Sequence, residues 1–179
     1  MGQALIVVTG LPGAGKTTLA EQLAHRMCRP LFSLDTVKES LFTRLGLTDR
    51  ALLRAASLDI IAALLRSSPA GGVVDVWVDP TRDPEAVRHL LVEVGIDRRA
   101  ELQCVVSGDV AAERFAARPR AGPHRPADAE LLQRIRSSAA LLRPLGVGPC
   151  LAVDTSGRVD LDPVVGWLNR HGIGRPDIS

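Results

Sequence analysis

"TGLPGAGKTT", Thr9 to Thr18, lies between an apolar run and a stretch with helical spacing. It holds three glycines and a proline, more backbone freedom than a connecting turn needs. Gly10-Leu-Pro12-Gly13-Ala14-Gly15-Lys16-Thr17 matches G-x-x-x-x-G-K-[ST] at every fixed position. The glycines permit positive φ, so successive N–H groups turn inward as an anion nest. A helix opening at Lys16 aims the positive end of its dipole at the same point. Lys16 adds a mobile charge for the β- and γ-phosphates, and the hydroxyl of Thr17, beside Thr18, can ligate Mg²⁺. The stretch predicts a nucleoside triphosphate site with Mg²⁺ at Thr17.

Outward from the loop, the chain alternates between two periods. Ala4–Thr9 (ALIVVT) is short, continuous and β-branched, as a buried strand should be. Lys16–Met27 places Leu19, Leu23 and Met27 at i, i+4 and i+8, an apolar helical stripe. Further strands are expected at Leu31–Leu34, Val73–Val78, Glu101–Val106 and Cys150–Val153. Helices are expected over 35–45, 49–67, 83–94, 109–117, 129–142 and 162–170. In the second of these, Leu52, Leu53, Ala56, Ile60, Ala63 and Leu64 share a side. Strands alternating with helices predict a parallel sheet covered on both faces, with the ligand crevice at the C-terminal strand ends. The glycine loop, Asp35 and Asp79 each follow a strand-like run and open into that crevice. RPRAGPHRPAD, 118–128, has three prolines and cannot be regular structure.

The 179 residues suit a single domain, expected over 1–172 with a loose tail over 173–179. No segment approaches the roughly 18 apolar residues of a membrane span, and the N-terminal apolar run is too short for a signal peptide, so a cytoplasmic location is expected. The net charge of +2 does not point to nucleic acid, and aromatic residues are only 3%, so stacking platforms for bases are scarce. Cys28, Cys104 and Cys150 have no metal-like spacing and read as small apolar residues in a reducing compartment.

There is no N-K-x-D guanine signature, and no four-residue apolar run ending in Asp-Glu as in hydrolysis motors. Instead "LFSLDTVKESLF" (31–42), "VWVDPTRDPEAVR" (76–88) and "ERFAARPRAGPHRPAD" (113–128) follow the glycine loop. Over roughly residues 4 to 156 the chain resembles small P-loop kinases related to polynucleotide 5′-hydroxyl kinases. Chloramphenicol phosphotransferase-like and zeta-toxin-like kinases are more distant relatives. The resemblance implies a three-layer α/β/α fold with a five-stranded parallel sheet in the order 2-3-1-4-5, and a short lid over about 114–128.

It also implies roles. Asp35 matches the aspartate that accepts the proton of the attacking hydroxyl, though the same residue suits an N-cap. Lys38, one turn on, stands where the family usually has an acceptor-holding arginine, and keeps the charge without the bidentate fork. Asp79 and Thr81 match a strand-end Asp-x-Thr that contacts the acceptor; Arg82 follows where the family has a neutral residue. Arg114 and Arg118, at i and i+4, match lid arginines that neutralise the transferring phosphoryl group. Arg120, His124 and Arg125 lie near them as acceptor or charge contacts. Thr155 and Ser156 fall where related folds bound the adenine.

The expected function is therefore phosphoryl transfer from ATP to a hydroxyl of a small metabolite or antibiotic. A polynucleotide 5′-end, a nucleotide sugar or a nucleoside monophosphate are rival acceptors. A nucleotide switch without an acceptor is a rival of another class, and it would need no base at Asp35.

Overall fold

All seven residues of β1 (Ala4–Gly10) are buried, and they fix the layers of the molecule. Ala4, Ile6 and Val8 enter one apolar core; Leu5 and Val7 enter the other. Alternate side chains of a strand point to opposite faces, so a strand with no polar face needs cover on both. The computed structural model describes residues 2–81, 84–118 and 127–176.

In chain order the elements are β1, α1 (Lys16–Arg26), β2 (Leu31–Ser33), α2 (Leu34–Leu45), α3 (Arg50–Ser67), β3 (Gly71–Asp75) and α4 (Pro84–Glu93). Then follow β4 (Arg99–Val105), α5 (Gly108–Ala117), α6 (Ala129–Ser138), a 3₁₀ turn (Ala139–Leu141), β5 (Cys150–Asp154) and α7 (Leu161–Arg170). The five strands form one sheet in the order β2-β3-β1-β4-β5, and every pairing is parallel. Helices α1, α5, α6 and α7 bury Leu23, Ala112, Ile135 and Leu168 on one face. Helices α3 and α4 bury Ile61, Leu65, Val87 and Leu91 on the other. This is the expected three-layer α/β/α fold.

Several boundaries differ from the sequence expectation, and three of them bear on the site and its neighbourhood. β3 ends at Asp75, not Val78, so Asp79 does not stand at the strand's end. The register explains this: Ser33, the last residue of β2, lies opposite Asp75, and β1 leaves the sheet after Gly10. Val76 N–H makes a last bond to Val8 O at 3.2 Å, and the pairing then ends, although Val76 and Val78 are still buried. Apolar character there reports burial, not pairing.

Asp35 is not a helix cap. α2 starts at Leu34 directly from β2, with Ser33 at the N-cap, and Asp35 lies in the first turn. The helix expected over 129–142 stops at Ser138 and tightens into the 3₁₀ turn.

α3 turns its apolar side the other way. Leu53, Ser57, Ile61, Ala62 and Leu65 are buried, whereas Leu52, Ile60 and Leu64 are exposed. The helix is apolar on two faces, so spacing alone does not choose which one the sheet covers.

Among the described residues no helix is long and apolar enough to cross a membrane.

Candidate active site

The glycine loop leaves β1 at the middle of the sheet and enters α1 at Lys16. Gly10, Gly13 and Gly15 have φ of 137°, 85° and 82°, the left-handed backbone the nest requires. Gly13 is also a point of close approach. A Cβ there would lie 2.1 Å from the Ala111 carbonyl oxygen, so the loop rests directly on α5. Ala14 N–H donates to Leu11 O at 3.1 Å, and the Lys16 ammonium bends back to Leu11 O at 2.8 Å.

Two side chains tie the loop down. Thr17 Oγ1 donates to Asp75 Oδ2 at 2.7 Å. From behind, Thr155 Oγ1 donates to the Ala14 carbonyl at 2.6 Å. Thr155 is buried, and its hydroxyl supports the loop. Arg114 completes this brace: its Nη1 donates to Thr155 O at 2.8 Å and its Nη2 to Ser156 O at 2.5 Å.

Asp75 is the residue that sequence reading missed. It ends β3 beside Val8 of β1, two residues before β1 opens into the loop. Its carboxylate is buried, and burial pushes its pKa above the usual carboxylate range. The Lys16 charge and the Thr17 hydroxyl pull the other way, Asp35 adds to the rise and Arg118 opposes it. Asp35, Lys16 and Arg118 thus lie within electrostatic reach of one buried carboxylate.

A cavity of about 530 Å³ runs along the C-terminal strand ends. Gly13, Gly15, Lys16, Thr17 and Thr18 form one wall, with Pro12 at its margin. Gly10 and Ala14 are not in the wall; Gly10 packs against Cys104 of β4, and Ala14 lies in the core. Asp35 and Lys38 reach the cavity from α2, their charged groups 3.6 Å apart. Adjacent strands lie about 4.8 Å apart, so the end of β2, two places from β1, stands roughly 10 Å from it with β3 and Asp75 between, and Asp35 follows in the first turn of α2.

Asp79 also lines the cavity, but its carboxylate is engaged. Oδ2 accepts from Arg134 Nη2 at 2.6 Å, and Oδ1 accepts from the Thr81 amide and hydroxyl at 3.0 and 2.8 Å. Thr81 is thus held on Asp79 and is not part of the cavity wall. Arg118 lies just past α5 with extended backbone, as expected of a residue preceding proline, and it lines the cavity. Arg82, Arg120, His124 and Arg125 lie outside the described residues.

Arg50 and Arg54 of α3 and Arg134 of α6 line the cavity as well, and sequence reading named none of them. Arg50 follows the cap Asp49, which is the one signal that placed it at a helix mouth.

The donors suit a magnesium nucleotide. A threonine hydroxyl and a carboxylate are hard oxygen ligands, and Mg²⁺ usually takes one or two such groups and completes its shell with phosphate oxygens and water. No group of three or more His, Cys, Asp or Glu that could hold a metal occurs among the described residues.

A family model described as an AAA domain matches residues 5–142. No curated protein matches the chain. Among solved structures, a kinase candidate from Chloroflexus aurantiacus J-10-fl is 30% identical, with a TM-score of 0.77 over 96% of this chain and 99% of that one. A sugar kinase from Janibacter sp. HTCC2649 is 16% identical with a TM-score of 0.66, over 96% of this chain and 98% of its own. A gluconokinase from Sinorhizobium meliloti 1021 is 22% identical with a TM-score of 0.56, over 95% and 89%. These last two bear on the fold alone. Glycine loop, strand order and family match agree: the chain belongs to the AAA domain family of P-loop NTPases and has the P-loop kinase fold.

Proposed function

We propose that the protein is an ATP- and Mg²⁺-dependent kinase that phosphorylates a hydroxyl group of a small molecule. The observation that carries this is one cavity that joins the glycine loop to Asp35 past the buried carboxylate of Asp75. A nucleotide switch has no use for a carboxylate beyond the phosphate cradle. Within its family the chain is grouped with the small kinases related to polynucleotide 5′-hydroxyl kinases, on the pattern Asp35-x-x-Lys38 and Asp79-x-Thr81. A cavity of about 530 Å³ that must also hold phosphates favours a small acceptor over a polynucleotide end.

In the transfer, the acceptor oxygen forms a bond to the γ-phosphorus while the bond from that phosphorus to the β,γ-bridging oxygen breaks. ADP leaves with the electron pair of the broken bond. The hydroxyl proton passes to the Asp35 carboxylate, whose side chain is 60% exposed and returns it to water. Asp35 aligns the hydroxyl, Lys16 holds the phosphates, and Arg118 at the end of α5 spreads the charge of the transferring group. Magnesium, when bound, neutralises phosphate oxygens; Thr17 and Asp75 are the residues that would hold it.

ADP release measured with Mg-ATP against a panel of hydroxylated compounds tests the reading, with Asp35→Asn in parallel. An acceptor that raises turnover and gains one phosphate by mass, with the gain lost in the variant, is the expected result. Hydrolysis that no acceptor stimulates and that the variant retains would overturn it in favour of a switch.

A further inference from the structure

We infer that Glu101 is a positioning residue for the nucleotide site: through the Thr9 hydroxyl it fixes the point where β1 opens into the glycine loop. The inference needs the nucleotide site of the family, and does not depend on transfer of phosphate to an acceptor.

Glu101 lies in β4 and is 0% exposed. No cation pairs with it among the described residues. Three donors serve it instead. Its Oε1 accepts from the Thr9 hydroxyl at 2.8 Å and from the Leu145 amide at 2.9 Å, and its Oε2 accepts from the Gly146 amide at 3.2 Å. A carboxylate is costly to take out of water, and these hydrogen bonds offset that cost. Stability is a weak reason for such a choice, because a buried charge often contributes no more than well-packed apolar groups; its best attested use is to fix register. The neighbours on the same face of β1, Leu5 and Val7, are apolar and pack without any such device.

The two amides belong to the loop that leads into β5. That loop has a second staple on β4: Arg99 Nε donates to Val147 O and its Nη1 to Ile96 O, both at 3.0 Å. Leu145 and Val147 are also buried in the core. The loop is therefore a fixed base, and Thr9 is what Glu101 ties to it. Thr9 stands opposite Gln103 in the β1–β4 register and directly precedes Gly10, where φ swings to 137° and the strand ends. Farther along the glycine loop, Thr155 holds the Ala14 carbonyl and Asp75 holds Thr17. The entrance has its hold in the Thr9 hydroxyl. Gly10, Gly13 and Gly15 offer little torsional resistance of their own, so a shift at Thr9 passes into the nest and turns its N–H groups away from the phosphates. A displacement of about 1 Å is enough to cost a site much of its function.

Calorimetry with magnesium and a non-hydrolysable ATP analogue, beside denaturant unfolding of each variant, tests this. Thr9→Val keeps the shape and removes the hydroxyl; it should weaken nucleotide binding by about tenfold, the scale of a lost hydrogen bond to a charged group. Thr9→Ser restores the donor and should bind within about threefold of the parent. Arg99→Met releases the same loop at its other staple, so it should lose stability while nucleotide affinity stays within about twofold. Glu101→Met removes the acceptor, and in that background Thr9→Val should add less than about twofold, because the pair acts as a unit. Where Glu101→Met does not fold, the other three variants decide. Parental affinity in Thr9→Val, no rescue by Thr9→Ser, an equal loss in Arg99→Met, a Thr9→Val cost unchanged beside Glu101→Met, or a parent that binds no nucleotide overturns the inference. Nucleotide that binds as expected but is never transferred to an acceptor removes the kinase and leaves the role of Glu101 standing.

Discussion

Thr17 and Asp75 meet at 2.7 Å, hydroxyl to carboxylate, and so join the end of the glycine loop to the end of β3. Thr17 is held by the first turn of α1, Asp75 by its register beside Val8. Removing either donor takes away half of the protein's share of a magnesium shell. Thr17→Ala or Asp75→Asn should lower kcat/KM by on the order of 100-fold, with partial recovery at raised magnesium. A variant that keeps parental activity and magnesium dependence rules out this pair as the metal's seat.

The same carboxylate has a second consequence without magnesium or nucleotide. Burial raises the folded pKa of Asp75 above its unfolded value of about 3.9. The folded state then binds the proton more tightly than the unfolded chain. The ionised group therefore costs stability, a cost absent below the unfolded value, growing as pH rises through the folded value, and constant above it. Asp75→Asn should melt higher than the parent at pH 7, with the gap closing as the pH approaches 3. A lower midpoint at pH 7 in magnesium-free buffer contradicts this sign.

Asp35 separates chemistry from folding. Its carboxylate is mostly exposed, and its ion pair with Lys38 is 3.6 Å long. Such a pair contributes little to stability, so Asp35→Asn should shift the unfolding free energy by less than about 0.5 kcal/mol. Nucleotide affinity should hold within about twofold, while phosphoryl transfer falls by roughly 10²–10⁴, the span of a lost general base. Loss of nucleotide binding alongside turnover would place Asp35 in the phosphate site instead.

The contrast between Asp35, Asp75 and Asp79 shows how far residue order reaches. The glycine loop and the alternation of periods determine the fold class and the crevice, because each is local chemistry repeated along the chain. The place of Asp35 at the crevice was legible because it comes shortly after a strand-like run. In VVDVWVD, two aspartates compete for the strand end, and nothing local separates them. Pairing of Ser33 with Asp75 decides it, a contact between residues 42 positions apart in the chain. α3 fails for the same reason: with apolar residues on two faces, only the neighbouring sheet selects Ile61 and Leu65 over Ile60 and Leu64. Arg134 was hidden in an amphipathic helix, where an arginine usually faces solvent.

Asp79 should behave as a framework residue. It is 3% exposed and is shared between Arg134 and both donors of Thr81. Asp79→Ala leaves a guanidinium, a hydroxyl and an amide without their acceptor. The expected loss is about 3 kcal/mol, the low end for a broken buried pair because Arg134 keeps some contact with water. Denaturant unfolding reads this directly. A stable Asp79→Ala protein with a raised KM for the acceptor alone would return Asp79 to the binding role.

Thiol chemistry gives a check on burial. Cys104 is fully buried in β4, and its pKa is pushed up to about 12, chiefly by desolvation. Cys150 rises to about 11, again mainly by desolvation and then by the Glu101 charge. The thiolate is the reactive form, so at pH 8 roughly one part in a thousand or less of either is available. A thiol-reactive chromophore should label at most Cys28 rapidly in the folded protein, and all three once it is unfolded. Fast labelling of Cys104 in the native state would mean that the β4 core opens readily.

Gly13 is the position where sequence, packing and function coincide most tightly. Its φ of 85° disfavours any side chain, and an added Cβ would sit 2.1 Å from the backbone oxygen of Ala111. Backbone strain alone costs about 1–2 kcal/mol. The clash adds more, since neither loop nor α5 can withdraw without parting the nest from Phe115 and Ala111. Gly13→Ala should lose ATP affinity by more than tenfold and melt lower than the parent. Gly46→Ala is the control: it has a similar φ of 63° with open space around it, so strain acts there without a clash. Gly46→Ala should cost only the strain and leave ATP binding intact. If the two variants lose equal stability and both keep nucleotide affinity, the loop does not depend on its contact with α5.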